Sequence, residues 1–155
     1  MSEQPVATIT GRFTLEIPPD PDQVRTARLF AAAVGRHFAL DEDRIGDLKV
    51  AISEAVTNSI KAHREAGIGE EVRVAADPTD DGLRFSVIDA GPGFTVPDET
   101  MQGNDPPTPA TGLFEGSLGL TVIRSLFPKL TIERNPDRGM TVAFVVDAGS
   151  GEPEE

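Results

Sequence analysis

The 155-residue chain has a net charge of −12 at pH 7 and contains no cysteine. Both features argue against particular classes of site and ligand. Without cysteine, a disulfide framework, a thiolate nucleophile and a zinc–thiolate site are all excluded. Lysines and arginines are scattered through an acidic chain, which argues against direct binding of nucleic acid. The first residues lack the basic and apolar regions of a signal peptide, and every apolar run is too short to span a bilayer. We therefore predict a single cytoplasmic domain that does not enter a membrane.

The first half of the chain predicts one strand followed by two helices. Alternating and β-branched residues over 8–17 favour a strand. Apolar residues then recur at helical spacing from Asp22 to about Phe38. Asp41 can cap a helix with its side chain and is followed by two acidic residues, so a second helix is predicted to run from there to about Ala66.

Two strands and a long loop are predicted next. Residues 71–77 and 83–89 alternate between apolar and polar types on either side of an Asp-Asp-Gly turn, which indicates a hairpin. Residues 91–116 are rich in glycine and proline and have little periodicity. A loop of that length either serves a site or is disordered, and we interpret it as a lid.

The rest of the chain predicts a short helix and a second hairpin. The helix is expected over Ser117–Leu126, and the strands over 130–135 and 140–147. The two ends, 1–6 and 148–155, are expected to be flexible tails.

The order of these elements predicts an α+β fold, with one domain over 7–147. Short hairpin links favour a mixed, mostly antiparallel sheet. Three helices would cover one face of that sheet, which makes a two-layer sandwich.

The second predicted helix has a polar face that could carry chemistry. Because each residue advances by about 100°, Glu54, Asn58 and Lys61 fall within an arc of about 60°. A carboxylate, an amide oxygen and an ammonium side by side suit a general base, a ligand for Mg²⁺ and a phosphate contact. The alternative is an ordinary solvated face with ion pairs between successive turns.

A second motif, Asp89-Ala90-Gly91-Pro92-Gly93, follows a predicted strand directly. An acidic side chain at a strand end can accept a hydrogen bond from an adenine amino group. Glycines at residues 91 and 93 would let the backbone approach a flat base. A plain turn has the same composition and stays an alternative.

Two further glycine motifs lie in the last third of the chain. Gly116-Ser117-Leu118-Gly119-Leu120 stands where the loop is predicted to become a helix, and free amides at a helix start can hold phosphates. A hinge or cap is the alternative. Gly139-Met140-Thr141 opens the last strand, where the hydroxyl could reach a base or could belong to an ordinary hairpin.

Together and in this order, the four motifs resemble the conserved boxes of the GHKL (Bergerat-fold) ATPases. Glu54-x-x-x-Asn58 resembles the N box, Asp89-x-Gly91-x-Gly93 the G1 box, Gly116-x-x-Gly119-Leu120 the G2 loop and Gly139-x-Thr141 the Gly-Thr strand start. Within that superfamily, the segments at 13–28 and 53–60 are similar to bacterial anti-sigma factor serine/threonine kinases. The resemblance covers about residues 12–147.

The resemblance implies a kinase that uses ATP and Mg²⁺. Glu54 is then the general base, Asn58 the Mg²⁺ ligand and Asp89 the residue that recognises adenine. Backbone around Gly91 and Gly93 would form the base pocket. The resemblance also implies phosphate contacts from Gly116, Ser117, Gly119 and Leu120. It implies a contact between Thr141 and the base.

The same resemblance implies protein partners. These are a sigma factor that the protein sequesters and an antagonist protein whose serine it phosphorylates; a homodimer stays open. Two histidines, His37 and His63, are interpreted as surface or partly packed side chains without a catalytic role.

Two features depart from the family pattern. No lysine or arginine occurs from Thr95 to Gly116, where related kinases usually place an arginine just before the G2 glycines. Lys61, three residues after Asn58, instead resembles the lysine of histidine kinase N boxes and is the candidate phosphate contact. The missing cation leaves open a non-catalytic, nucleotide-gated protein-binding module. A switch kinase of a stress-signalling scaffold without a sigma partner also stays open, because a partner surface is not a motif.

Overall fold

A computed structural model of the chain describes residues 12–92 and 113–147, and it describes side chains in the second range from residue 119 onward. In chain order the elements are β1 (Phe13–Ile17), α1 (Gln23–His37), α2 (Glu42–Ala66), β2 (Val72–Thr79), β3 (Gly82–Ile88), α3 (Leu113–Leu126), β4 (Thr131–Arg134) and β5 (Met140–Val146). No helix in these ranges is both long and apolar enough to cross a bilayer.

The five strands form one sheet in the order β1-β2-β3-β5-β4. Each neighbouring pair is antiparallel, so the described sheet contains none of the parallel pairing that a mixed sheet would have. α2 packs against β2, β3 and β5 and contacts α1 on one side and α3 on the other. The predicted α+β sandwich is confirmed, with α2 as the central helix.

The ends of α2 follow from local chemistry, as predicted. Asp41 accepts a hydrogen bond from the Arg44 amide at 2.8 Å, which satisfies one of the amides that a helix start leaves without a partner. Glu42 and Asp43 lie in the first turn, where negative charge is favourable. Gly67 ends the helix in the left-handed conformation, with φ of 70°.

The start of α3 differs from the prediction. The helix begins at Leu113 and not at Ser117, so Gly116 and Ser117 lie inside it. A glycine within a helix costs only about 1 kcal/mol relative to alanine. That cost is small enough for the helix to continue through residue 116.

The end of β2 also differs from the prediction. β2 continues through Pro78 to Thr79 and does not stop at residue 77. β1 pairs with β2 only from Val72 to Ala76, so the missing amide hydrogen of Pro78 interrupts no bond to β1. Of the strand predicted over 8–17, residues 8–11 lie outside the described residues.

The core lies between the helices and one face of the sheet. The predicted apolar arc of α2 is buried there in full: Ile45, Leu48, Ile52, Ala55, Val56 and Ile60. Across from it, Phe144 stacks on Phe127 with ring centroids 4.7 Å apart and on Phe85 at 6.0 Å. The side of α2 that carries Glu54 and Asn58 lies outside this apolar arc and faces α3.

Candidate functional site

Glu54 and Asn58 lie one turn apart on α2, both half-buried, and face the first half of α3. A Cβ added to Gly119 would stand 2.9 Å from Glu54 Oε1 and 3.0 Å from Asn58 Nδ2. A Cβ at residue 119 would therefore push the ends of the Glu54 and Asn58 side chains out of this arrangement. The structure brings together three predicted site residues: a carboxylate, an amide and a glycine of the G2 motif.

The Asp89 carboxylate is held by three hydrogen bonds from different elements. Its Oδ1 accepts the amides of Gly91 at 3.0 Å and of Met140 at 3.1 Å. Its Oδ2 accepts the Ser59 hydroxyl of α2 at 2.9 Å. Because a carboxylate oxygen can accept two hydrogen bonds, Oδ2 can take a further donor such as an exocyclic amino group. Asp89 thus connects three elements, and its contact with a base stays a prediction.

Gly91 allows its turn to lie directly on α2. A Cβ at residue 91 would stand 3.2 Å from Ala62 Cβ and 3.6 Å from His63 Cδ2. The close approach at this glycine is made to a helix of the same chain, and its approach to a base stays a prediction. Gly93, the other predicted glycine of this motif, lies outside the described residues.

Thr141 is connected to Asp89 through Asn135. The Thr141 hydroxyl donates to Asn135 Oδ1 at 2.6 Å, and Asn135 Nδ2 donates to the Asp89 carbonyl at 3.2 Å. Its neighbour Val142 faces the core, so Thr141 lies on the face of the sheet opposite the helices. Its role as a base contact stays a prediction.

Lys61 lies two turns after Glu54 on α2. Its side chain is 45% exposed, and Nζ is 3.9 Å from Glu65 Oε2. It lines a groove together with Pro21 and Val24, at the start of α1. Its phosphate contact stays a prediction.

The G2 motif lies within α3, which differs from the predicted free helix start. Amides without an intrahelical partner belong to the first turn of a helix, which here begins at Leu113. The amides of Gly119 and Leu120 come later, and the Leu120 side chain is only 6% exposed in the core. The lid predicted for 91–116 lies largely outside the described residues, since 93–112 are not among them.

The sequence motifs missed three residues that hold the turn at Asp89: Ser59, His63 and Asn135. Ser59 binds the Asp89 carboxylate, Asn135 binds the Asp89 carbonyl, and His63 accepts the amide of Ala90. His63 is 0% exposed, so its interpretation as a surface or partly packed residue is wrong. A usable signal exists for two of them: Ser59 and His63 fall in the middle of the apolar arc of α2. A polar side chain in such a position must find a hydrogen-bond partner.

Comparison with known sequences matches residues 17–146 to the histidine kinase-like ATPase domain family. The chain is 33% identical over 143 residues to the serine-protein kinase RsbW of Bacillus velezensis, covering 90% of this chain and 87% of that protein. It is 33% identical over 134 residues to RsbW of Bacillus subtilis, covering 84% and 81%. The matched range contains each of the four motifs.

Comparison with solved structures gives the same fold. The structure of the RsbU and RsbW domains of a Mycobacterium tuberculosis protein superposes with a TM-score of 0.63 at 22% identity, covering 89% of this chain and 32% of that chain. The SiaB–SiaC complex of Pseudomonas aeruginosa gives a TM-score of 0.63 at 14% identity, covering 86% of this chain and 88% of that chain. These likenesses are evidence of shared architecture.

Proposed function

The chain belongs to the histidine kinase-like ATPase domain family and, within it, to the RsbW serine-protein kinases, and we propose that it binds Mg²⁺-ATP and transfers the γ-phosphate to a serine of a partner protein. The observation that carries this proposal is the convergence of Glu54, Asn58 and Gly119 at one face of α2. A base and a metal ligand beside a residue without a side chain are components of a site for phosphoryl transfer to a hydroxyl.

The residues at this face fit a magnesium nucleotide. The described residues contain no group of three or more histidines or acidic residues that could hold a metal. Mg²⁺ usually keeps several waters and is bound by one or two protein oxygens plus substrate phosphates. The Asn58 amide oxygen would supply one such ligand, and bound Mg²⁺ would neutralise charge on the phosphates.

Glu54 accepts the proton of the substrate serine in this proposal. Its side chain is half-buried, and its Oε1 lies next to Gly119, a residue without a side chain. Loss of the proton makes the serine oxygen a better nucleophile toward phosphorus as the bond to the leaving ADP oxygen breaks. Lys61 would supply a second local positive charge after a change of rotamer.

Phosphate binding by the G2 motif requires part of α3 to open. Amides of Gly119 and Leu120 inside an intact helix donate to carbonyls one turn earlier. They become available to phosphates only if the turn from Leu113 unwinds to about Ser117. Gly116 lowers the cost of that unwinding because glycine is a poor helix former. The lid proposed over 91–116 would then close on the nucleotide.

We include in the proposal the partners that the family resemblance implies. These are a sigma factor, which the protein sequesters, and an antagonist protein, which it phosphorylates on serine; a homodimer is compatible with both. A kinase that acts on transcription regulators in this way works in the cytoplasm, where ATP is available.

A second candidate function is a nucleotide-gated binding module without transfer. The observation that favours it is the position of Lys61 beside Glu65 on the α1 side of the helix. The absence of lysine and arginine from Thr95 to Gly116 points the same way, because phosphoryl transfer depends on positive charge around the leaving group. Transfer of label to a partner serine separates the two functions.

Removal of the Asn58 amide is expected to weaken Mg²⁺-ATP binding by at least about tenfold. Loss of outer-shell partners already costs about 10- to 100-fold in metal sites, and Asn58 would be a direct ligand. Calorimetry with and without Mg²⁺ on wild type, Asn58→Ala and Thr57→Ala measures this effect. Thr57 is exposed on the same helix and serves as the control. No nucleotide heat at hundreds of micromolar protein, or the same Mg²⁺ dependence in all three proteins, contradicts the assignment.

Asp89→Asn is expected to weaken ATP binding by about 1–3 kcal/mol while the fold is kept. The asparagine oxygen can still accept the amides of Gly91 and Met140, and its nitrogen can donate to the Ser59 hydroxyl. The adenine amino group, however, would face a donor in place of an acceptor. Competition of ATP and GTP against a fluorescent nucleotide tests this, with the exposed Asp137→Asn as control. Unchanged ATP affinity, or equal competition by GTP in wild type, would show that Asp89 only holds the turn.

A further inference from the structure

His63 ties α2 to the turn that follows β3. The side chain is 0% exposed, and its two ring nitrogens have different partners. Nδ1 lies 2.9 Å from the Glu70 carbonyl oxygen, just before β2. Nε2 lies 2.9 Å from the amide nitrogen of Ala90, the residue after Asp89.

These two contacts determine the protonation state of the ring. A carbonyl oxygen can only accept and a backbone amide can only donate, so Nδ1 carries the hydrogen and Nε2 carries none. The opposite tautomer would place a donor against the Ala90 amide and an acceptor against the Glu70 carbonyl. A doubly protonated ring would lose the bond to Ala90. His63 is thus a neutral imidazole with both nitrogens satisfied.

The bond to Ala90 acts together with a second bond from the same helix. Ser59 lies one turn before His63 and donates to the Asp89 carboxylate at 2.9 Å. The next residue of the turn, Gly91, is close enough that an added Cβ would stand 3.6 Å from His63 Cδ2. α2 therefore holds this turn in three ways: through the Asp89 carboxylate, through the Ala90 amide and through packing against Gly91.

We propose that His63 is a positioning residue for nucleotide recognition, which sets the turn at Asp89 through the Ala90 amide in its neutral, Nδ1-protonated tautomer. The inference rests on the proposed function, in which Asp89 recognises adenine. Glu54 and Asn58, the proposed base and metal ligand, lie on the same helix as His63. The bond to Ala90 therefore fixes the position of Asp89, which would bind the base, relative to Glu54 and Asn58, which would act at the phosphates.

Three variants test this role. His63→Leu introduces an apolar side chain of similar bulk and leaves the Ala90 amide and the Glu70 carbonyl without partners. His63→Gln offers one donor and one acceptor on a planar group and can restore both bonds. His37→Leu removes the other histidine of the chain, which is exposed on α1.

Affinities for ATP and GTP, measured by calorimetry, are the main readout. His63→Leu is expected to weaken ATP binding on the order of tenfold, the usual consequence of leaving a buried polar group unpaired. It should also lower the ratio of ATP to GTP affinity, because a displaced Asp89 discriminates the bases less well. His63→Gln should recover most of both quantities, and His37→Leu should match wild type.

Nitrogen NMR of the wild-type histidines supplies a readout that needs no variant. The inference expects one ring with hydrogen on Nδ1 and a bare Nε2 that is hydrogen-bonded to an amide. A protonated Nε2 on His63 overturns it, as does a His63→Leu protein that keeps wild-type ATP affinity and base preference. If wild type binds no adenine nucleotide, the proposed function fails and this inference fails with it. If wild type binds ATP and His63→Leu binds it equally, only the role of His63 fails.

Discussion

Glu54→Gln is expected to slow transfer of the γ-phosphate to a partner serine by at least about 100-fold while ATP affinity stays close to that of wild type. Glutamine has the size of glutamate and keeps the close fit against Gly119, where an added Cβ would stand 2.9 Å from Glu54 Oε1. It cannot, however, take the proton of the attacking hydroxyl. The loss should therefore appear in the rate of transfer and not in nucleotide binding.

The control is Glu65→Gln on the same helix. Glu65 is 68% exposed and interacts with Lys61 at 3.9 Å, so its neutralisation changes the charge of the chain without touching the Gly119 face. Radiolabelled ATP mixed with each variant and a cognate antagonist protein measures the transfer rate. Equal rates for Glu54→Gln and wild type would remove Glu54 as the base. A wild type that transfers no label, while nucleotide still alters partner affinity, would leave the nucleotide-gated binding module.

Gly139→Ala is expected to lower the free energy of unfolding by about 3 kcal/mol or more. Residue 139 has φ of 93°, and a Cβ there would stand 1.8 Å from the Asp89 carbonyl oxygen and 2.8 Å from Ala90 Cα. Both atoms are backbone, so no side-chain rotation can relieve the overlap. The start of β5 would have to move away from Asp89 and break the bond from the Met140 amide to its carboxylate.

Chemical denaturation of Gly139→Ala and Gly69→Ala tests this expectation. Gly69 lies in the loop before β2, and a Cβ at that position would meet no atom within 4 Å. It therefore controls for the general effect of adding a methyl group to a loop glycine. If the two variants unfold at the same denaturant concentration, the close approach at Gly139 does not exist in solution. A destabilised Gly139→Ala should in addition bind ATP more weakly, because Asp89 would be displaced.

Local patterns predicted the elements of this fold with few errors. α2 shows why: the Asp41 cap, the acidic first turn and Gly67 at the end are all properties of residues close together in the chain. The apolar arc of α2 was likewise predictable, since burial of one face is periodic. The start of α3 was predicted four residues late because a glycine at residue 116 indicates a helix boundary, whereas within a helix it costs only about 1 kcal/mol.

The sequence by itself determined the order of helices and strands, the α+β class, and the pairing of Glu54 with Asn58 on one helix, because each depends on spacing along the chain. Tertiary structure alone decided which distant residues meet. Asp89 accepts the Met140 amide 51 positions away and the Ser59 hydroxyl 30 positions away, and His63 accepts the Ala90 amide 27 positions away. No periodicity encodes such contacts, because they depend on how α2, β3 and β5 pack against one another. The same packing turned Gly119 toward Glu54 and left Lys61 beside α1.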